Sequence, residues 1–230
     1  DVTEDAGLAA EGIAGSGIFG DYDNDGCLDL FLFVESYSQS DHLMRSDCEG
    51  GFVDVTEASR IVDVIEYMSC DNGGDRAPTP GATWVDIDSD GFLDLYVANF
   101  ICWASGQSYL DTVWRSRGNG TFENWTGKRG FPDLDDDDVQ LASRGAQAAD
   151  FDADGDVDIL VNTYRLNRNL YYRNDGGRFV EQGAETGLAG QPTDWSGYRY
   201  HGHSIGTAVG DLDGDVDLDV VIANLAHPRF

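Results

Sequence analysis

The sequence predicts an all-β chain built from repeated four-stranded antiparallel units. Three observations predict it. An acidic stretch of fixed design occurs four times. Each copy lies between two short segments that read as strands. A second, glycine-rich turn with its own fixed residues follows three of the copies.

The acidic stretches are DYDNDGCLDL from Asp21, DIDSDGFLDL from Asp86, DFDADGDVDI from Asp150 and DLDGDVDLDV from Asp211. Their starts are 65, 64 and 61 residues apart. A period of this size marks a repeat architecture, in which each repeat is one supersecondary unit stacked on its neighbours. Composition agrees. Of 230 residues 41% are hydrophobic, with 29 glycines and 5 prolines, so the chain is globular and turn-rich rather than disordered. No apolar run is long enough for a membrane span. The net charge of -29 makes nucleic acid a poor partner, because phosphate binding needs a basic face.

In the first loop, numbered from its first aspartate, carboxylates fall at positions 1, 3, 5 and 9, as Asp21, Asp23, Asp25 and Asp29. The matching residues are Asp86, Asp88, Asp90 and Asp94, then Asp150, Asp152, Asp154 and Asp158, then Asp211, Asp213, Asp215 and Asp219. Side chains at 1, 3 and 5 can converge when the backbone curls, and glycine at 6 allows the sharp turn at φ > 0. An oxygen-only ligand set suits a hard cation, and several carboxylates in flexible geometry suit Ca2+ better than Mg2+. The cation would remove the repulsion that the spacing creates.

The start of each loop is like that of an EF-hand, but the end is not. Position 12, a bidentate glutamate in an EF-hand, is Leu32, Val97, Val161 or Ile222 here. Before the loops come segments such as GATWV (81–85) and GAQAA (145–149); after them come LDLYVANF (93–100) and VDILVNTY (157–164). Such short runs of β-branched, aromatic and leucine residues read as strands, so each loop joins a β-hairpin. The second hairpin lies in DHLMRSDCEGGFVDVTEASRI (41–61), DTVWRSRGNGTFENWTGKRGF (111–131) and NLYYRNDGGRFVEQGAETGL (169–188). In each, a bulky strand leads to Arg45, Arg115 or Arg173, a turn follows, and Phe52, Phe122 or Phe179 opens the next strand. Each unit thus has four strands, A-loop-B and C-turn-D. Four-stranded antiparallel units repeated around an axis make a β-propeller.

The pattern resembles the FG-GAP/VCBS repeat of integrin-α-type propellers. FVDVTEA (52–58), the initial DVTEDAGL and RNDGGRF (173–179) look most like the ASPIC/UnbV and cartilage-acidic-protein branch. The resemblance covers essentially the whole chain. It implies a propeller, commonly of seven blades, with Ca2+ held in the A–B loops by the aspartates named above. The fourth loop departs from the pattern. Val216 stands in place of the glycine, and Gly214 comes two residues early. A β-branched residue resists φ > 0, so this loop is expected to hold its cation less firmly.

The repeats run over about 15–61, 80–131, 144–188 and 205–230, the last incomplete, with 1–14 read as the tail of a preceding blade. About three and a half blades are expected, completed by further blades of a longer chain or by a protein partner. The cysteines Cys27, Cys48, Cys70 and Cys102 include no C-x-x-C. Cys27 and Cys48 belong to one loop face of the first unit, Cys70 and Cys102 to the opposite face of the second. Two same-face disulfides are expected, which fits an oxidising compartment and an extracellular, cell-surface or periplasmic location.

The expected function is that of a non-catalytic calcium-binding scaffold for adhesion, protein interaction or subunit assembly. A lectin-like alternative would use Trp103, Trp195, Tyr198 and Tyr200 to stack on a glycan. A metal-dependent hydrolase built on His201 and His203 is the third reading. It lacks a nucleophile–base motif, and the best acids are already committed to the cation loops.

Overall fold

The computed structural model describes residues 2–8, 15–61, 76–131, 141–195 and 198–225, with backbone alone for 193–200. It is all-β, with sheets arranged like propeller blades. The first sheet holds β1 (Ser16–Gly20), β2 (Asp29–Phe33), β3 (His42–Ser46) and β4 (Phe52–Asp54), hydrogen-bonded in chain order. The second repeats this with β5 (Gly81–Val85), β6 (Asp94–Ala98), β7 (Thr112–Ser116) and β8 (Phe122–Asn124). The third does so with β9 (Ser143–Ala149), β10 (Asp158–Thr163), β11 (Leu170–Asn174) and β12 (Phe179–Glu181). A small hairpin, β13 (Thr193–Trp195) and β14 (Tyr198–Tyr200), precedes the last pair, β15 (Ser204–Gly210) and β16 (Asp219–Asn224).

Every acidic loop closes on the same register. The residue before position 1 pairs with position 9: Gly20 with Asp29, Val85 with Asp94, Ala149 with Asp158 and Gly210 with Asp219. The second strand of each complete sheet is one of its two middle strands and is the most apolar. Strands β6 and β10 are buried at every residue. Sheets stack face to face. Phe31, Leu43 and Tyr22 meet Leu95, Val97, Trp114 and Phe122 between the first two. Tyr96, Val113 and Phe131 meet Ile159, Tyr172 and Phe179 between the second and third. Phe131 and Phe179 stack with centroids 4.4 Å apart. The inner strands come closer still. A Cβ on Gly81 would lie 2.6 Å from the Gly145 Cα, so glycine is required there.

A one-turn helix, α1 (Thr56–Ser59) or α2 (Gly183–Thr186), follows the fourth strand of the first and third sheets. These tails end in a left-handed residue followed by an apolar one. Arg60 (φ 66) precedes Ile61, Gly130 (φ 97) precedes Phe131 and Gly187 (φ 83) precedes Leu188. Gly7 (φ 74) before Leu8 repeats the pattern. The segment 2–8 docks as those tails do. Phe52 N donates to Ala6 O, as Phe179 N donates to Arg129 O two tails later.

Blades are also joined by hydroxyls. Asp41 accepts Val34 N of its own sheet at 2.9 Å and the Thr79 hydroxyl, which leads into the next sheet, at 2.7 Å. Asp111 repeats this with Asn99 N at 2.7 Å and the Ser143 hydroxyl at 2.8 Å, and also accepts the Tyr96 hydroxyl. Asn169 holds Thr163 N in the third sheet. Burial pushes the Asp111 carboxyl up from 3.8 to about 7, against the lowering pull of its hydrogen bonds. A raised native pKa contributes stability below the unfolded value that is lost as pH rises through the native one. Asp111→Asn, the residue found at 169, should therefore gain stability relative to the parent between about pH 4 and about pH 7. Part of Asp111 reaches solvent, so screening keeps the effect modest. Urea midpoints on either side of that window check it; a constant difference would assign no net titration to Asp111.

The last pair is more open than the rest. Val221 of β16, Ile205 of β15 and Leu225 are about half exposed, at 53%, 45% and 51%. Tyr96, which holds the place of Val221 in the second unit, is fully buried between sheets. No described helix is long and apolar enough to cross a membrane.

Candidate metal centres

The first three loops share one internal hydrogen-bond scheme, whereas in the fourth Asp211 takes Gly214 N and Val216 N, and Asp215 N turns to Asp213. The carboxylate at position 1 accepts two backbone N–H groups across the turn. Asp21 takes Asp25 N and Gly26 N at 3.0 Å, Asp86 takes Asp90 N and Gly91 N, and Asp150 takes Asp154 N and Gly155 N. Position 5 caps the N–H two residues on: Asp25 for Cys27, Asp90 for Phe92, Asp154 for Asp156 and Asp215 for Asp217. Position 9 is the deepest of the four. Asp29, Asp94 and Asp158 are fully buried. Each pins the loop to the third strand: Asp29 accepts Tyr22 N and Ser46 N, Asp94 accepts Ile87 N and Ser116 N, and Asp158 accepts Phe151 N and Asn174 N. Asp158 also receives the Tyr171 hydroxyl at 2.7 Å.

Carboxylate oxygens of Asp21, Asp23 and Asp29 come within 4.8 Å of one another, as do those of Asp150, Asp152 and Asp158, and of Asp211, Asp213 and Asp219. In the second loop the convergent set is Asp86, Asp88 and Asp90 instead. The structure thus brings together positions 1 and 3 in every loop, joined by 9 in three loops and by 5 in one. Asp25, Asp154 and Asp215 stand outside the convergent sets, as does Asp94. The donors are all oxygen, which fits a hard cation. Two of them are also unsatisfied: Asp23 Oδ1 and Asp88 Oδ1 are buried without a hydrogen-bond partner, a costly arrangement for a carboxylate that a cation would relieve. Burial pushes the Asp29 carboxyl up to about 6 and the Asp94 carboxyl to about 7, with neighbouring loop aspartates adding to both. Asp23 is raised by burial and then by Asp25.

The fourth loop keeps the left-handed backbone positions of the others despite its sequence. Gly26, Gly91 and Gly155 have φ of 90, 87 and 99 at position 6, and Val216 adopts φ 80 there. Gly214 (φ 84) takes the left-handed position 4 that Asn24, Ser89 and Ala153 occupy elsewhere. The β-branched residue therefore bends as the loop requires, at a cost. Val216 is 90% exposed and has little packing to lose. Val216→Gly should stabilise the chain by roughly 0.5–1 kcal/mol, the strain relieved exceeding glycine's entropy. A denaturant midpoint at or below the parent's would mean that the valine is unstrained.

Sequence reasoning missed several contributors. Arg115 bridges the second loop, with Nε 2.8 Å from Asp88 Oδ2 and Nη2 2.6 Å from Asp90 Oδ2. Asn24 Nδ2 donates to Gly91 O at 2.9 Å and ties the first loop to the second. The arginine was visible as a repeat feature, but its spacing from the loop gave no sign that it folds back onto it.

Cys27 and Cys48 form the expected disulfide, with Cα atoms 5.5 Å apart, stapling the first loop to the turn between β3 and β4. Cys102 is also disulfide-bonded; its expected partner, Cys70, lies outside the described residues. His201 and His203 join no described group of three metal-ligating side chains. Instead His201 N donates to Leu166 O, the His203 Nδ1 accepts Arg165 N at 3.2 Å, and the His203 ring lies 4.4 Å from that of Tyr164. Trp103 is 58% exposed, edge-on to Phe100. The side chains of Trp195, Tyr198 and Tyr200 lie outside the described residues, as does the acidic run within 132–140.

Among solved structures, one is described as the structural basis of specific recognition of non-reducing terminal N-acetylglucosamine by an Agrocybe aegerita lectin. It aligns at 17% identity and TM-score 0.43, over 89% of this chain and 45% of its own. The chain thus spans less than half of that protein's length. No curated protein matches. A family model for the FG-GAP-like repeat matches residues 86–161 and 150–222, together more than half of the chain. Both matched spans open on the first aspartate of an acidic loop, so what the family model matches is the loop-and-strand unit described above, and the chain belongs to the FG-GAP-like repeat family.

Proposed function

We propose that this chain is a non-catalytic, calcium-stabilised extracytoplasmic scaffold for protein interaction or subunit assembly. The observation that carries the calcium part is the buried, unsatisfied oxygen of Asp23 and of Asp88 within convergent all-oxygen clusters. In the first three loops the position-1 aspartate shapes the turn and the position-9 aspartate fixes it to the third strand. The remaining carboxylate oxygens are left to face a shared point. A bound Ca2+ would supply the positive charge that lets these groups stay ionised together. The Cys27–Cys48 disulfide supports an oxidising location. The scaffold role follows the repeat fold, whose loop faces present broad surfaces.

Elemental analysis and melting in excess EGTA test the calcium reading. A cation that binds only the native state at about 100 times its Kd adds about 2.7 kcal/mol per site. Chelation should then lower Tm by roughly 5–10 °C for each site emptied. An unchanged melting curve in EGTA, with no metal in the purified protein, would overturn it. A glycan-binding reading rests on the exposed indole of Trp103. It requires Trp103→Ala to abolish retention on immobilised sugars while leaving Tm unchanged.

A further inference from the structure

The second acidic loop differs from its neighbours in what stands beside it. Arg115 extends from β7 and contacts two of its carboxylates, at 2.8 and 2.6 Å. The guanidinium is held in place from behind, 5.4 Å from the centre of the Trp125 ring and 3.9 Å from Glu123. In the third loop the equivalent Arg173 stands 3.8 Å from Asp152. In the first, Arg45 acts on Asp23 through space. The convergent set changes in step. Where the arginine grips, position 5 is drawn in, as Asp90; in the first and third loops position 9 completes the set. Asp90 then has both oxygens engaged, one by Phe92 N and one by Arg115.

We propose that Arg115 is a built-in counter-cation of the second loop, which makes that loop less dependent on calcium than the third; this rests on the calcium reading above. The reason is Coulombic. A cation entering the second loop meets one unit less negative charge and competes with a bidentate guanidinium for Asp88 and Asp90. Without the cation, the guanidinium still offsets the repulsion, so the turn stays closed. The third loop has a more distant arginine and depends more on the ion. The first is a poor comparator, because its disulfide holds it closed in either state.

Hydrogen exchange on the intact chain, with calcium and with excess EGTA, separates the loops. The reporters are the amides of Asp90 and Gly91, bonded to Asp86, and those of Asp154 and Gly155, bonded to Asp150. Chelation should speed exchange about tenfold or more in the third loop and less than about threefold in the second. With Arg115→Gln the second loop should follow the third. Arg115→Lys keeps the charge but can grip only one carboxylate, and should fall between; it carries the test if the glutamine variant does not fold. Equal responses of the two loops in the parent, or a second loop unmoved by either substitution, would overturn the role of Arg115 while leaving calcium binding intact. Neither loop responding, in a protein free of calcium, would overturn the calcium reading and this inference with it.

Discussion

Asp94→Ala should destabilise the chain by about 3 kcal/mol or more, with or without chelator. The side chain is fully buried and accepts Ile87 N at 2.8 Å and Ser116 N at 2.6 Å. Alanine leaves both donors unpaired in a dry interior, and each orphaned group costs about 1–3 kcal/mol. A small cavity adds to this. Asp94 stands outside the convergent set of its loop, so EGTA should not mask the loss. Asp94→Asn keeps one acceptor and should cost about half as much. Urea unfolding of the three proteins decides it. A loss under about 1 kcal/mol for alanine would mean that water replaces the carboxylate and that the pin is dispensable.

Gly130→Ala should cost about as much for a different reason. Gly130 has φ 97, and a Cβ there would collide with the Phe179 carbonyl oxygen in the neighbouring sheet. Relief requires the tail of the second blade to withdraw. That would break the Arg129–Phe179 backbone bond and the stack of Phe131 on Phe179. A loss of about 3 kcal/mol or more is expected. Gly187, with φ 83 and open space around its would-be Cβ, supplies the comparison. Gly187→Ala carries the backbone strain alone, about 1 kcal/mol. Equal losses for the two variants would show that the blade interface yields without cost.

The repeat unit was legible because its signals are local. Four in-phase aspartate ladders, the apolar runs beside them and the Arg-turn-Phe hairpins fix the strands, their order and the Cys27–Cys48 pairing. The contacts between units were not. The stretches 41–61, 111–131 and 169–188 all begin with Asp or Asn, at Asp41, Asp111 and Asn169. Those residues pin the second strand of each sheet, and Asp41 and Asp111 also reach toward the next, yet nothing along the chain names the hydroxyl partners Thr79 and Ser143. Arg115 raised the same difficulty: its grip on Asp88 and Asp90 depends on a rotamer and on the Trp125 ring behind it. Val216 marks where a residue-type rule misled. Valine disfavours a left-handed backbone, but two flanking hydrogen-bonding aspartates and the shared loop register impose it.

The position-9 pins also set an order of assembly. Ser46 to Asp29 spans 17 residues, Ser116 to Asp94 spans 22 and Asn174 to Asp158 spans 16. The hydroxyl links between sheets span 38 and 32 residues. A chain emerging from the ribosome can therefore lock the first three strands of a blade before the next blade's first strand exists. Short loops close early and at low entropic cost. Each finished sheet then offers its apolar face as the template for the one behind it. Synthesis would thus proceed as a sequence of small, separately committed steps, with few chances for a strand to join the wrong blade.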